Sequence, residues 1–231
     1  MPHAGWAYSG ATAAHVFSVL AQQQAPETVI LFGAVHSWGV SRPSVYPDGS
    51  WRTPLGPLAV DAELAVRLLA EGAGVVVGSA DAHADEHSIE VQMPIIKYRF
   101  PRAKIAPIMM GHQGYEAAGD LAGHLIQAIE RTGRDVRIVA SSDFSHYVPE
   151  DVARRQDIYA IDALKTLDVS EFYHRLQETG ATVCGYGPIA AMCIACQAFG
   201  AEKGELLQYA TSGDVTGDFN QVVGYAAIAV V

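Results

Sequence analysis

The sequence predicts an α/β fold in which a central, mostly parallel or mixed sheet is flanked by helices. Short apolar runs rich in β-branched residues alternate along the chain with helical patterns, and this alternation is typical of strands joined by helical connections. The 231 residues fit one large domain, and no Pro/Gly/Ser-rich linker divides them. We therefore expect a single domain over residues 1–231.

Five apolar runs predict buried strands. The clearest covers residues 28–35 (TVILFGAV), because it is short, continuous and rich in β-branched side chains. The other runs have the same character and cover residues 74–78, 104–110, 136–140 and 221–231.

Helical patterns fill the stretches between these runs. Residues 11–22 carry apolar side chains at helical spacing after a predicted cap at Ser9. Residues 115–131 end just before Gly133, which is a C-cap signal. The remaining predicted helices cover residues 61–71, 150–167 and 188–199.

A long segment with loop composition follows the first predicted strand. Residues 42–57 contain four prolines and two glycines together with Tyr46 and Trp51. A loop of this length could form a wall or lid over a functional site. It could equally be a surface excursion that is packed by its own aromatic side chains.

Composition excludes several classes of function. The formal charge of −10 argues against nucleic acid or an anionic membrane as a partner, because both require a basic face. The longest nearly apolar run, residues 222–231, is about half the length that spans a bilayer. We expect no secretory signal and a cytoplasmic, reducing compartment.

The three cysteines do not suggest a disulfide framework, because their number is odd. Cys193 and Cys196 form a C-x-x-C, but no second pair completes a zinc set. We expect both to be small, buried core thiols.

Polar residues suited to metal chemistry follow predicted strands or lie beside glycine. His36 follows the first strand, Asp143 and His146 follow the strand over 136–140, His3 lies next to glycine, and Cys184 lies at a loop-to-helix junction. Residues beyond the carboxyl ends of parallel strands converge at one edge of a sheet. Imidazoles, a thiol and an Asp/His pair meeting there would form a metal site with a proton-transfer group.

Other interpretations of these residues stay open. Asp143 and the neighbouring serines could simply cap a turn, although no G-x-S-x-G elbow supports a serine hydrolase. His83 and His87 are four residues apart, but residues 82–85 are expected to precede the helix that Glu86 begins. We therefore do not expect His83 and His87 to share a metal.

Six motifs, in this order along the chain, resemble those of the Memo family. They are PHAGWAYSG (2–10), FGAVHS (32–37), WRTPLG (51–56), DEHSIEVQMP (85–94), SSDFSHY (141–147) and CGYGPI (184–189). The resemblance covers essentially the whole chain and implies a fold similar to that of class III extradiol dioxygenases. Memo proteins carry a further strand ahead of the PHAG motif. Here we expect either a misassigned start or a neighbouring element that supports His3.

The resemblance implies metal ligation by His3, His36 and Cys184, with Asp143 and His146 beside the metal. It also implies that Glu86 and His87 lie near the pocket or stabilise its wall. Two histidines and one anion leave metal positions open. Fe(II) is the first expectation, and the softer thiolate makes copper or zinc alternatives.

The implied function is a mononuclear non-haem metal oxidoreductase that acts on a small polar or phenolic substrate. His146 would be its general acid or base, with Asp143 either orienting His146 or contacting the substrate. The alternatives are a non-catalytic scaffold that binds a metal or peptide, and a zinc-dependent hydrolase. Self-association into a homo-oligomer is plausible, although no segment specifies it.

Overall fold

The structure is a computed structural model that describes residues 1–37 and 39–231. Its α-helices are α1 (Trp6–Leu20), α2 (Ala62–Glu71), α3 (His87–Glu90), α4 (Met93–Arg99), α5 (Tyr115–Thr132), α6 (Glu150–Leu164), α7 (Val169–Thr179), α8 (Tyr186–Ala198) and α9 (Gly213–Thr216). Its strands are β1 (Thr28–Ala34), β2 (Ser44–Val45), β3 (Ser50–Trp51), β4 (Leu58–Ala59), β5 (Val77–Gly78), β6 (Lys104–Met110), β7 (Val136–Ala140), β8 (His146–Val148), β9 (Gly204–Thr211) and β10 (Val222–Val230).

A mixed five-stranded sheet lies at the centre, in the order β5-β2-β6-β1-β7. β1 pairs in parallel with β6 and β7, whereas β2 runs antiparallel to β6. Every residue of β1 is buried, as expected for a strand that is covered by helices on both faces. The predicted α/β class is confirmed.

Alternate residues of β1 belong to two hydrophobic clusters. Ile30 and Phe32 pack with apolar residues of α2, α5 and α8. Val29 and Leu31 pack with residues of α1, α3 and α4. Since successive side chains of a strand point to opposite faces, these clusters are the two layers on either side of the sheet.

A second, antiparallel sheet has the order β8-β10-β9. The strand predicted over residues 221–231 is present as β10, but it belongs to this second sheet. The predictions did not include β9 or α7. Asp168 is the N-cap residue of α7, and its side chain accepts from Glu171 N.

Two local predictions have the wrong bounds. The strand expected over residues 74–78 is present only at Val77–Gly78, as β5, because the residues before it form a turn in which the amides of Val75 and Val76 both donate to the Gly72 carbonyl. α1 begins at Trp6 rather than after Ser9. The Ser9 hydroxyl lies within the helix and donates to the Ala4 carbonyl at 2.9 Å.

The segment over residues 42–57 is packed by its own aromatic side chains. The rings of Tyr46 and Trp51 meet edge to face with centroids 5.4 Å apart, and both pack against the cluster that contains Val29 and Leu31. β2 within this segment joins the central sheet. The segment is therefore part of the core layer rather than a lid.

β7 forms an edge of the central sheet. The start of the chain is hydrogen-bonded to the carboxyl end of β7 and to the residues just beyond it. The Met1 amino group donates to Ala140 O at 2.8 Å, and Ser142 N donates to Met1 O at 2.9 Å. This is the pattern of a parallel ladder around Ser141. Among the described residues, no helix is both long and apolar enough to cross a bilayer.

Candidate metal centre

Three candidate ligands converge at the carboxyl edge of the central sheet. His36 follows β1, Cys184 precedes α8, and His3 precedes α1. One nitrogen from each imidazole and the Cys184 Sγ all lie within 4.8 Å of one another. His3 Nε2 is 3.2 Å from Cys184 Sγ, although 181 positions separate these residues in the sequence. The structure thus brings together the two imidazoles and the thiol that sequence reasoning grouped.

Ser141 fixes the orientation of the His3 ring. The Ser141 hydroxyl donates to the Ser88 carbonyl at 2.5 Å and accepts from the Gln92 side-chain amide at 3.0 Å. Because its one proton is already used, it accepts from His3 Nδ1 at 3.0 Å. Nδ1 therefore carries the ring proton, and Nε2 presents a lone pair toward Cys184.

Neighbouring elements support the segment that carries His3. The His3 amide donates to the Asp143 carboxylate at 2.8 Å, and Gln92 donates to the Pro2 carbonyl at 2.9 Å. This agrees with the expectation that another element supports His3. Burial, and then the nearby His36 imidazole, lower the pKa of His3 well below its usual value. A neutral ring is the form that binds a metal.

Glu86 orients the His36 ring. Its Oε1 lies 2.9 Å from His36 Nδ1, and its Oε2 accepts from the His36 amide at 2.5 Å. The same carboxylate caps α3 by accepting from Ser88 N at 2.9 Å. Since a carboxylate only accepts, His36 Nδ1 carries the proton, which leaves Nε2 for Cys184 or a metal.

The His36–Glu86 pair favours its ionised form. Hydrogen bonding with Cys184, and then with Glu86, raises the pKa of His36 to about 10. Burial opposes the charge on Glu86, but hydrogen bonds from His36 and Ser88 outweigh it and lower the pKa of Glu86 to about 2. A metal that takes His36 Nε2 must therefore displace a proton.

A glycine in β1 allows Glu86 to reach His36. A Cβ atom on Gly33 would lie 2.5 Å from Ile89 Cγ1 and 2.7 Å from the Met109 sulfur. Without a side chain at this position, α3 packs closely against β1. That approach places Glu86, at the N-terminus of α3, beside the end of the strand.

Asp143 lies next to the candidate ligands His3 and Cys184, but it is not paired with His146 as expected. Asp143 N donates to Cys184 Sγ at 3.2 Å. His146 Nδ1 instead bonds to the Thr182 carbonyl at 2.8 Å, and the His146 amide donates to the Thr182 hydroxyl at 2.8 Å. Thr182, not Asp143, therefore orients His146, and Nε2 of His146 has no hydrogen-bond partner among the described residues. Burial raises the pKa of Asp143, and nearby His146 partly opposes this rise.

Sequence reasoning assigned no definite role to His87, which lies within the cluster. Its ring centroid is 5.4 Å from that of His3 and 4.7 Å from that of His36. His83 lies elsewhere, donating to the Ser79 carbonyl beside the aromatic rings of the 42–57 segment. The sequence feature that could have indicated a role for His87 is Glu86, the acidic residue directly before it.

Comparison with known proteins decides the family. A family model described as "Memo-like protein" matches residues 1–229. A MEMO1 family protein of Methanothermobacter thermautotrophicus is 42% identical over 228 residues, covering 99% of this chain and 82% of that protein. Another from Methanosarcina acetivorans is 46% identical over 231 residues, covering 99% and 84%. The chain belongs to the Memo family.

A solved structure adds to this Memo family assignment at the level of fold. The crystal structure of an uncharacterized protein from Escherichia coli K12 is similar with a TM-score of 0.60 over 90% of each chain. At 16% identity the likeness shows the fold alone. The family predicted from the six motifs is thus confirmed, and this Memo family chain carries a group of candidate metal ligands in His3, His36 and Cys184.

Proposed function

We propose that this Memo family protein binds one transition-metal ion through His3, His36 and Cys184 and acts as a mononuclear non-haem metal oxidoreductase. The observation that carries this proposal is the approach of the three ligand atoms to within 4.8 Å of one another. Two imidazoles and a thiolate are a donor set that transition metals accept. The ligands also have ordered partners, because Ser141 and Glu86 hold the protons on the Nδ1 atoms that face away from the site.

Fe(II) is the metal we propose first, with copper or zinc as alternatives. Two histidines and one anion suit a non-haem iron that keeps open positions. A thiolate in place of a carboxylate makes the donor set softer, which favours copper and zinc. When bound, the metal would supply open positions and electron exchange for oxygen and a small polar or phenolic substrate.

The chain's own residues would handle protons and positioning. His146 has a free Nε2, because Thr182 holds its other nitrogen, so it is suited to act as general acid or base. Asp143 is 5% exposed, and its carboxylate accepts from the His3 amide. Because Thr182 rather than Asp143 orients His146, we assign Asp143 the second of the two roles considered for it, which is contact with a substrate.

The test is anaerobic reconstitution with Fe(II), Cu(I) or Zn(II), followed by metal analysis and measurement of oxygen uptake with a panel of phenols. We expect one metal per chain and oxygen uptake that requires His146. His146→Ala should keep the metal and lose most of the rate, by about 100-fold or more. If His36→Ala and Cys184→Ser both leave the metal content unchanged, the proposed site is wrong.

One observation favours zinc-assisted hydrolysis as a second candidate. One sulfur and two imidazole nitrogens match catalytic zinc sites that keep a fourth position for water. The same experiment separates the candidates, since a hydrolase consumes no oxygen and a non-catalytic binding module keeps ligand binding after His146→Ala. A small-molecule or peptide partner and a cytoplasmic location complete the proposal.

A further inference from the structure

Asp157 is a buried carboxylate that the proposed chemistry does not use. It lies on α6 and is 0% exposed. Burial raises the pKa of Asp157, and hydrogen bonds from Ser145 and Tyr209 oppose that rise. A buried carboxylate is stable only where hydrogen-bond donors replace the water that it has lost. The donors that meet Asp157 therefore show what this side chain holds in place.

One oxygen of Asp157 bonds to the residue that directly precedes His146. Oδ1 accepts from the Ser145 amide at 3.1 Å and from the Ser145 hydroxyl at 2.6 Å. Gln156 Oε1 is 3.3 Å from the same hydroxyl, so the shorter contact with the carboxylate takes its one proton. Oδ2 accepts from the Tyr209 hydroxyl of β9 at 2.7 Å. The two oxygens of Asp157 thus hold two different elements.

A glycine in β10 allows the carboxylate to reach this loop. The Gly224 amide donates to the Ser145 carbonyl, and the Gly224 carbonyl accepts from the Phe144 amide, both at 2.9 Å. A Cβ atom on Gly224 would lie 2.1 Å from Asp157 Oδ2 and 2.9 Å from the Tyr209 hydroxyl. Asp157 therefore packs against the backbone of β10 at the point where β10 binds residues 144–145. Both β10 and α6 hold this loop.

His146 depends on the position of the backbone in this loop. Its ring bonds to the Thr182 carbonyl at 2.8 Å, and its amide donates to the Thr182 hydroxyl at 2.8 Å. Tyr147, the next residue, has a left-handed backbone conformation with a φ of 56°. A residue other than glycine keeps such a conformation only where surrounding contacts impose it. Because the Tyr147 side chain is exposed, contacts of its chain neighbours impose it, and the bonds between Ser145 and Asp157 are among them.

We propose that Asp157 is a positioning residue for His146, because its bonds to Ser145 fix the backbone from which the His146 ring reaches Thr182. While that contact lasts, Nδ1 carries the ring proton and Nε2 keeps its lone pair for proton transfer. The inference rests on the proposed function for the use of that lone pair, but the positioning itself requires no metal.

The plainer interpretation is that Asp157 only ties α6 to the second sheet. In that case its bonds to Ser145 and to Tyr209 matter for stability alone, and equally so. The two hydroxyl contacts, at 2.6 and 2.7 Å, are a matched pair, because each brings one O–H group to the same carboxylate. Only the Ser145 contact leads to His146.

The experiment compares Ser145→Ala with Tyr209→Phe in the full chain without metal. Nuclear magnetic resonance of isotope-labelled histidine at about pH 9, where an ordinary imidazole is neutral, reports the tautomer of each ring, and His146→Ala identifies the His146 signals. Wild-type His146 should carry its proton on Nδ1. In Ser145→Ala the ratio of the Nδ1–H form to the Nε2–H form should fall by about fivefold, the value of one hydrogen bond. Tyr209→Phe should change this ratio by less than about twofold, although it lowers the melting temperature as much.

Asp157→Ala should shift the ratio at least as far as Ser145→Ala, and Asp157→Asn should recover part of it, because its side-chain oxygen still accepts from Ser145. Equal shifts in Ser145→Ala and Tyr209→Phe, or no shift in either, overturn the inference. After reconstitution with metal, Ser145→Ala should also lower the rate of oxygen uptake about fivefold, with Tyr209→Phe close to the wild type. A wild-type chain that takes up no oxygen overturns the proposed function, and the tautomer comparison still decides the role of Asp157.

Discussion

The cysteine just before α8 lies in a polar environment, whereas the two cysteines within this helix lie in an apolar one. Cys184, just before the helix, has its sulfur within 3.2 Å of His3 Nε2 and of the Asp143 amide. Cys193 and Cys196, within the helix, border an apolar groove of about 530 Å³ along β7. Burial raises the pKa of Cys193 to about 12 and that of Cys196 to about 11.

This contrast shows that polar neighbours, rather than spacing between cysteines, indicate which sulfur can bind a metal. The C-x-x-C spacing of Cys193 and Cys196 is the pattern that suggests zinc or redox chemistry in a sequence. In the structure Cys193 is buried, as predicted, whereas Cys196 is only partly buried. Cys184, which is not part of such a pair, accepts from the Asp143 amide and lies beside the imidazoles of His3 and His36.

The largest expected effect is a loss of metal affinity, and it should appear in a variant of Cys184 but not in a variant of Cys196. Cys184→Ser should weaken metal binding by more than about 100-fold, because losing a ligand costs more than losing the hydrogen bond that orients one. Cys196→Ser is the matched control and should keep the wild-type metal content. Equilibrium competition with a coloured chelator measures both. If both variants lost metal affinity equally, the proposed difference between Cys184 and Cys196 would be wrong.

Alkylation should separate the same sulfurs by rate. At pH 8 the thiolate fraction is about one in 10,000 for Cys193 and about one in 1,000 for Cys196, from their pKa values of about 12 and 11. We expect iodoacetamide to label Cys184 first and a bound metal to protect it. Mass spectrometry of peptides from the native protein reads all three positions. Faster labelling within α8 would contradict the comparison.

Metal affinity at the Cys184 end should depend on pH. The pKa of His36 is raised to about 10, so below that pH a metal must displace its proton. Affinity should therefore rise by about tenfold per pH unit between pH 7 and 9 and level off above about 10. Titrations at several pH values test this, and a flat profile would mean that His36 gives up no proton on binding.

Without added metal, the contribution of His36 to folding stability depends on pH with the opposite sign. The folded-state pKa of His36 lies above the ordinary 6.5, so its contribution is complete below that pH and is lost as pH rises through about 10. The pKa of Glu86 is lowered from 4.5 to about 2, so its contribution is lost as pH falls through that range. Both contributions are complete between about pH 4.5 and 6.5.

Ser141→Ala should weaken metal binding by about 10- to 100-fold, the usual effect of removing a group that orients a ligand. The substitution leaves the buried His3 Nδ1–H without its acceptor. Because Ser141 also bonds Ser88 and Gln92, thermal unfolding should be measured in parallel. If the melting temperature falls but metal affinity does not, Ser141 supports the fold rather than the ligand.

The smallest effect is expected in the middle of α8. Cys193→Ser places a hydroxyl in an apolar environment and should cost about 1–2 kcal/mol of unfolding free energy, since a backbone carbonyl one turn earlier can accept from it. Metal content should remain that of the wild type. Urea denaturation gives the free energy, and a change in metal content would show that the helix interior and its N-terminal end are not independent.

Much of the fold was predictable because burial leaves a simple pattern in the sequence. β1, β6 and β7 are predominantly apolar runs, and α2 and α5 carry their caps at Asp61 and Gly133. β9 was missed because six of its eight residues are exposed or only partly buried. Residues 74–78 were assigned to a strand because of the β-propensity of three valines, but a turn around glycine overrides that propensity in all but the last two of these residues.

The position of a site residue was predictable where that residue follows a strand. It was not predictable where contacts between residues distant in sequence decide the position. His36 and Asp143 stand directly beyond β1 and β7, so topology alone brings them to one edge. The partner of His146 is Thr182, 36 positions away, and nothing in their local sequences links them. His87 enters the site only because α3 packs on β1.

The close packing at Gly33 links the hydrophobic core to the geometry of the candidate metal centre. Ile89 and Met109 fill the space that a side chain on Gly33 would take, and the fit between them sets how near α3 stands to His36. Enlarging or trimming either residue would translate the helix and its acid with it. Tolerance of the core to substitution is therefore narrower here than stability alone would dictate, because a shift in this packing also moves Glu86 relative to the His36 imidazole that it orients.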